Sequence, residues 1–168
     1  MQKKTSVQKK STHTKRIHGP FISHGQAMAR HEREMESLHP AFRAKVGVVI
    51  DHLNNKGWRA FVWQGKTRSE AQAAKNAEKG RGIKMSWHRP EVRGRIGGHA
   101  VELYAADIVD ERWGWEGPAK DLNHQFWKDL GGYAKALGLE WGGDWSKQDV
   151  AHVQIVLMDT AIPNSMVV

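Results

Sequence analysis

Trp141-Gly-Gly-Asp-Trp145, followed by Asp149-Val-Ala-His152 and an apolar run, is the stretch on which the reading of this chain turns. The paired glycines mark a turn, and the alternation after it marks a strand from His152 to Met158. His152, Gln154 and Val156 fall on one face of that strand; Val153, Ile155 and Leu157 fall on the other. An aspartate and a histidine three residues apart thus sit where a turn gives way to a strand. Upstream, Ser86-Trp-His88 and Ala105-Ala-Asp107 supply another imidazole and another carboxylate. Two histidines and one aspartate can fill three positions of a tetrahedral zinc site and leave the fourth for water. The remaining aspartate is then placed to take that water's proton.

Working outward, Pro40 opens a helix in which Phe42, Val46, Val49, Ile50 and Leu53 recur at helical spacing, with Gly57 as its stop. A short polar helix is expected over 24–37. Trp58 to Gln64 reads as a strand, and Ser69-Glu-Ala-Gln72 is a capping box for a second firm helix running to about Glu78. Residues 80–99 read as a long basic loop, and 100–109 as a buried strand ending in Asp107-Ile-Val-Asp110. Pro118 is expected to open a further helix with Leu122, Phe126, Leu130 and Leu137 on one face and a weak point at Gly131-Gly132. Helices and strands do not alternate regularly, so the class is α+β.

The chain has 168 residues, enough for one domain with a core, and eight tryptophans argue against wholesale disorder. It has no cysteine, which excludes disulfides and thiolate metal sites. No apolar run reaches membrane-spanning length, and the N-terminus lacks the apolar core of a secretory signal. The formal charge of +8 favours polyanionic partners. Lys3, Lys4, Lys9, Lys10, Lys15 and Arg16 fall in a stretch without acids, so residues 1–36 are expected to be a basic, flexible arm ahead of a catalytic domain over 37–168.

Most of the ten histidines call for no special role. His13, His18, His24 and His31 lie in polar sequence, His39 beside Pro40 looks like a helix start, and His52 and His124 fall inside helices. His152 alone is compatible with a core histidine bonded to a carbonyl, and Asp149 with a turn-forming aspartate. Asp107 lies in an apolar strand, where an uncompensated carboxylate is expensive; a metal or an Arg or Lys partner would compensate it.

Ser-Trp-His, Ala-x-Asp-Ile-Val, Gly-Leu-Glu-Trp-Gly-Gly-Asp-Trp and Asp-x-x-His-Val-Gln occur here in that order, and together they resemble the M15 metallopeptidases. These are the D-alanyl-D-alanine carboxypeptidases and the phage L-alanyl-D-glutamate endopeptidases. Arg68-Ser69 and Gln72 resemble an upstream segment of the same family, so the resemblance covers roughly residues 37–158. It implies a small antiparallel sheet with helices packed on it, of the Hedgehog/D-Ala-D-Ala-peptidase type. It also implies Zn2+ held by His88, Asp107 and His152. Asp149 then falls on the general base, Arg68 on the arginine that steadies the substrate, and Ser86 on the serine beside the first ligand. An aspartate base looks more like the phage endopeptidases. One departure is spacing: the insert Arg89–Gly98 separates His88 from Asp107, and His99 is the alternative first ligand.

The expected activity is zinc-assisted hydrolysis of peptidoglycan stem peptides, at the L-Ala-D-Glu bond, by a monomeric phage-type lysis enzyme (an endolysin). Such an enzyme is made in the host cytoplasm without a signal peptide and acts on the bacterial cell wall after release, its basic arm attracted to anionic envelope polymers. The alternatives are a D-Ala-D-Ala carboxypeptidase on the same fold, and a non-catalytic protein that binds cell wall or nucleic acid.

Overall fold

The computed structural model describes residues 21–65 and 104–156, and the backbone alone at 95–96 and 99–100. The central sheet is built from β1 (Ala60–Gln64), β4 (Ala105–Asp110), β5 (Leu139–Trp141) and β6 (His152–Ile155). These four strands are antiparallel and lie in the order β1-β4-β6-β5. A separate two-stranded ladder pairs β2 (Arg95–Ile96) with β3 (His99–Ala100), so part of the expected 80–99 loop is a hairpin. Among the described residues three helices accompany the sheet: α1 (His24–Glu36), α2 (Pro40–Asn55) and α3 (Gln125–Ala136). This is the α+β arrangement read from the sequence.

The core follows from the apolar spacing of α2, whose Phe42, Val46, Val49, Ile50 and Leu53 are all buried against α3 and the sheet. The helix ends where expected, at Gly57 with a positive φ of 94°. α1 has little apolar content; beyond Ala27, Met28 and Met35, which pack on the core, what it contributes is polar. Among the described strands β1 lies at the sheet edge, where outward backbone groups need partners. Arg30 Nε donates to Trp63 O, His31 Nδ1 accepts from Val62 N at 3.1 Å, and Glu34 Oε2 accepts from Gly65 N at 3.1 Å. Burial holds the His31 pKa below the ordinary imidazole value, which suits an acceptor nitrogen. Residues 21–36 therefore belong to the folded body, which begins ahead of the expected arm boundary at 36. The acid-free stretch 1–18 lies outside the described residues, as do the capping box at Ser69 and its helix.

α3 differs from expectation at its start. Pro118 heads a short 3-10 turn (Gly117–Lys120), not the helix, and Leu122 is exposed. Asp121 Oδ1 accepts from Asn123 N, and His124 then caps α3 by accepting from Phe126 N at 3.3 Å. His39 caps α2 in the same way through Ala41 N. Gly131 is a packing position, since a Cβ there would lie 2.5 Å from the Trp141 ring.

Candidate functional site

The sheet register builds the site. Gln64 pairs with Asp107, and Asp107 pairs with His152, giving a row across β1, β4 and β6. β5 ends one residue short of that row, and Gly142 follows it. A Cβ at Gly142 would collide with the Asp149 carbonyl and lie 3.2 Å from the Asp149 and His152 Cβ atoms. Glycine here lets the 149–152 turn fold tightly onto the strand end. Asp149 N donates to Gly142 O at 2.9 Å, and His152 N donates to Asp149 O at 3.0 Å. The indole of Trp141 donates to Val150 O at 2.8 Å, and Gln148 donates to Gly143 O at 2.8 Å. The Trp-Gly-Gly-Asp-Trp stretch is thus the clamp that sets Asp149 and His152.

Asp107, Asp149 and His152 each offer a ligand atom, and these atoms lie within 4.8 Å of one another. Asp107 and His152 are buried; Asp149 is half-buried. His152 Nδ1 stands 3.2 Å from Asp107 Oδ1. Complete burial pulls the His152 pKa down, but the hydrogen bond and charge of Asp107, the charge of Asp149 and the Gln154 bond outweigh it and raise it. Two carboxylates around one imidazole make a place for positive charge.

The donor set fits zinc. A tetrahedral ion with bonds of about 2.0–2.1 Å has ligand-to-ligand edges of about 3.3 Å, close to the His152–Asp107 separation. The buried nitrogen and oxygen donors of His152 and Asp107 are of the kind that zinc takes, and half-open Asp149 stands beside them.

Of the other expected site residues, Arg68, Ser86 and His88 lie outside the described residues. His99 is described only through its backbone, in β3 opposite Ile96. A further set escapes the sequence reading. His152 Nε2 stands 2.9 Å from Gln154 Oε1, Gln154 Nε2 donates to Glu140 Oε2 at 3.1 Å, and Trp145 Nε1 donates to Glu140 Oε1. The alternation along β6 puts Gln154 on the His152 face; the partner Glu140 depends on a β5–β6 register that sequence does not show.

The cleft of note among the described residues, about 420 Å³, is lined by His24, Met28, Asn54, Trp58, Arg59, Ala60 and Glu111. It opens at the other end of β1 and β4 from Asp107. That cleft's acid, Glu111, is paired with His24 and Arg59.

A model of M15 peptidases described as D-alanyl-D-alanine carboxypeptidase matches residues 95–155, and over that segment the chain resembles this family. The match contains Asp107, Asp149 and His152, and also His99. Among solved structures, the L-Ala D-Glu endopeptidase ChiX of Serratia marcescens is similar at 23% identity and a TM-score of 0.47, covering 76% of this chain and 87% of that one. No curated protein matches the sequence. Among the described residues, no helix is long and apolar enough to cross a membrane.

Proposed function

We propose that the chain is a zinc-dependent peptidase of peptidoglycan stem peptides that cuts the L-alanyl-D-glutamate bond as a phage-type lysis enzyme. The observation that carries this reading is the convergence of Asp107, Asp149 and His152 inside the segment that resembles M15 peptidases. His88, Asp107 and His152 would hold the ion. When bound, zinc supplies a water of lowered pKa and a Lewis acid for the scissile carbonyl.

The chain's own groups do the remaining work. Asp107 and His152 sit on paired positions of two strands, so their separation is set by the sheet and not by a loop. Asp149 is half-open to solvent, which suits a base that takes a proton from water and returns it to the leaving amine. Arg68 follows Gln64, the register partner of Asp107, by four residues and would hold the substrate carbonyl or carboxylate. Ser86 would contact substrate beside His88. The positive chain suits an acidic stem peptide, and residues 1–18 would strengthen attraction to the envelope at low salt.

His88 is the proposed first ligand because Ser86-Trp-His88 carries the family context. Zinc content should fall in His88→Ala and persist in His99→Ala; the reverse moves the ligand to His99. A second reading, a D-Ala-D-Ala carboxypeptidase, is favoured by the description of the family that residues 95–155 match. Mass spectrometry of digested peptidoglycan separates the two. New D-glutamate N-termini support the endopeptidase, whereas release of single D-alanine supports the carboxypeptidase. Absence of any cleavage by the zinc-loaded protein overturns both.

A further inference from the structure

We propose that a β-bulge held by α1 aims Gln64 at the carboxylate–imidazole cluster, where its side-chain amide binds a main-chain amide of the substrate peptide on the flank opposite Asp149. This deepens the reading of the cluster as a peptidase site and rests on it. β1 and β4 pair one to one from Ala60 and Asp110 to Val62 and Ile108, but the next partner of Asp107 is Gln64, not Trp63. Trp63 is therefore an extra residue, a bulge of the kind that re-aims side chains beside active sites. In an unbroken ladder Trp63 would oppose Asp107, and Gln64 would turn to the other face of the sheet. The extra residue is anchored, because the Trp63 ring centre lies 3.8 Å from the Arg30 guanidinium carbon, 5.0 Å from the Phe21 ring and 5.8 Å from the Trp115 ring. α1 also grips the backbone on both sides of it: His31 Nδ1 accepts from Val62 N, Arg30 Nε donates to Trp63 O, and Glu34 Oε2 accepts from Gly65 N at 3.1 Å. The fit at Gly65 is close, since a Cβ there would lie 2.5 Å from Glu34 O.

Gln64, Asp107 and His152 follow one another across the sheet, and Asp149 lies beyond His152 on the turn bonded to Gly142 after β5. The two inner residues are buried and the two outer ones half-buried, so a peptide laid over the cluster meets Asp149 on one flank and Gln64 on the other. Residues directly opposite in an antiparallel pair share a face, with Cβ atoms about 4.5–5.5 Å apart. A glutamine side chain carries its polar end one carbon further from the backbone than an aspartate, so the Gln64 amide reaches beyond the Asp107 carboxylate towards the rim. Being neutral, it does not compete with the carboxylates for an ion, and it can both donate and accept, as a peptide group requires. Gln64 is thus the proposed substrate contact, and Glu34 a positioning residue that acts through it.

The test measures binding of a synthetic stem peptide to zinc-loaded Asp149→Asn protein by calorimetry, and cleavage of the same peptide by protein with Asp149 intact. Gln64→Met keeps the length of the side chain but carries no amide. Peptide affinity should fall roughly 3–10-fold, the worth of one neutral hydrogen bond. KM should rise in step, while kcat and zinc affinity, read by chelator competition, should hold. Glu34→Ala should weaken peptide binding in the same direction, whereas Glu34→Gln, which still accepts from Gly65 N, should behave as wild type. Glu34→Ala added to Gln64→Met should cost nothing more, because both act through one side chain. Unchanged peptide affinity in Gln64→Met overturns the proposal, and so does a loss confined to zinc affinity, which would make Gln64 a support for Asp107. Additive losses overturn the role given to α1. If peptide binding responds as stated but wild type cleaves nothing, Gln64 keeps its role and the peptidase reading falls. Cleavage with a KM indifferent to Gln64→Met leaves that reading standing and removes Gln64.

Discussion

Strand β4 carries a buried aspartate near each of two ends, and the two are neutralised in opposite ways. Asp110 is fully buried and accepts from Arg59 N at 2.9 Å, Arg112 N at 2.9 Å, Arg112 Nε at 2.8 Å and Arg112 Nη2 at 2.7 Å. One planar guanidinium and two amides saturate it, and Arg112 itself stacks 4.2 Å from the Trp113 ring centre. Desolvation pushes the Asp110 carboxyl up, yet these bonds outweigh it and hold it below the ordinary value. Asp107, three residues earlier, faces the His152 imidazole with Asp149 close by. The first arrangement is complete as built. The second, among the described residues, sets two carboxylates beside the His152 imidazole, a group of side chains that could hold a cation. Burial of an acid does not by itself identify function; the identity of its partners does.

The largest expected effect breaks the Asp107 end. Asp149→Asn keeps the shape but removes the base, so turnover should fall roughly 10²–10⁴-fold with zinc retained. Single-turnover cleavage of a purified stem peptide, alongside metal analysis, checks this; near-normal turnover removes Asp149 from the chemistry.

The next breaks the Asp110 end. Asp110→Ala removes a fully buried carboxylate and leaves half-buried Arg112 and two backbone amides without their acceptor, so denaturant unfolding should show a loss of about 3–5 kcal/mol at neutral pH. Because the folded pKa of Asp110 is depressed, its stabilisation is present above the ordinary carboxylate value of about 4 and is lost as pH falls through the folded value. The gap between wild type and variant should therefore narrow below about pH 4. A gap that is constant with pH would mean the loss is packing alone.

Smaller again is Gly142→Ala, where the new Cβ collides with the Asp149 carbonyl. Relief of that clash should cost about 1–3 kcal/mol and shift Asp149 and His152, so weaker zinc binding should accompany the loss of stability. Unchanged zinc affinity would uncouple the glycine turn from the site. The smallest effect belongs to Asp144, in the same turn but exposed and paired with exposed Lys135. Asp144→Ala should change stability by less than about 1 kcal/mol and leave zinc binding alone, separating the acid that belongs to the site from the one that does not.

Much of the molecule is legible in sequence where local physics decides. α2 announces itself by apolar spacing between Pro40 and Gly57, and Asp107 stands out because a carboxylate in an apolar strand demands compensation. α1 is faint because its work is polar: Arg30, His31 and Glu34 satisfy an edge strand, and only Ala27 is buried along it. Its start is marked by the Ser23–Gln26 capping box, a cue that polar sequence makes easy to pass over. The early start expected for α3 fails because Pro118 suits a 3-10 turn as well as a helix, and histidine is an uncommon cap. The Glu140–Gln154 pairing is invisible in sequence because strand register is set by the assembled sheet.

The distinction that matters most is between the Asp107 end of β4 as a metal site and the Asp110 end as a structural ion pair. Zinc titration calorimetry of folded wild type, Asp107→Asn and Asp110→Asn tests it most directly. One zinc per chain is expected in wild type and in Asp110→Asn, with a large loss of affinity in Asp107→Asn. Equal zinc binding by the two variants would contradict it.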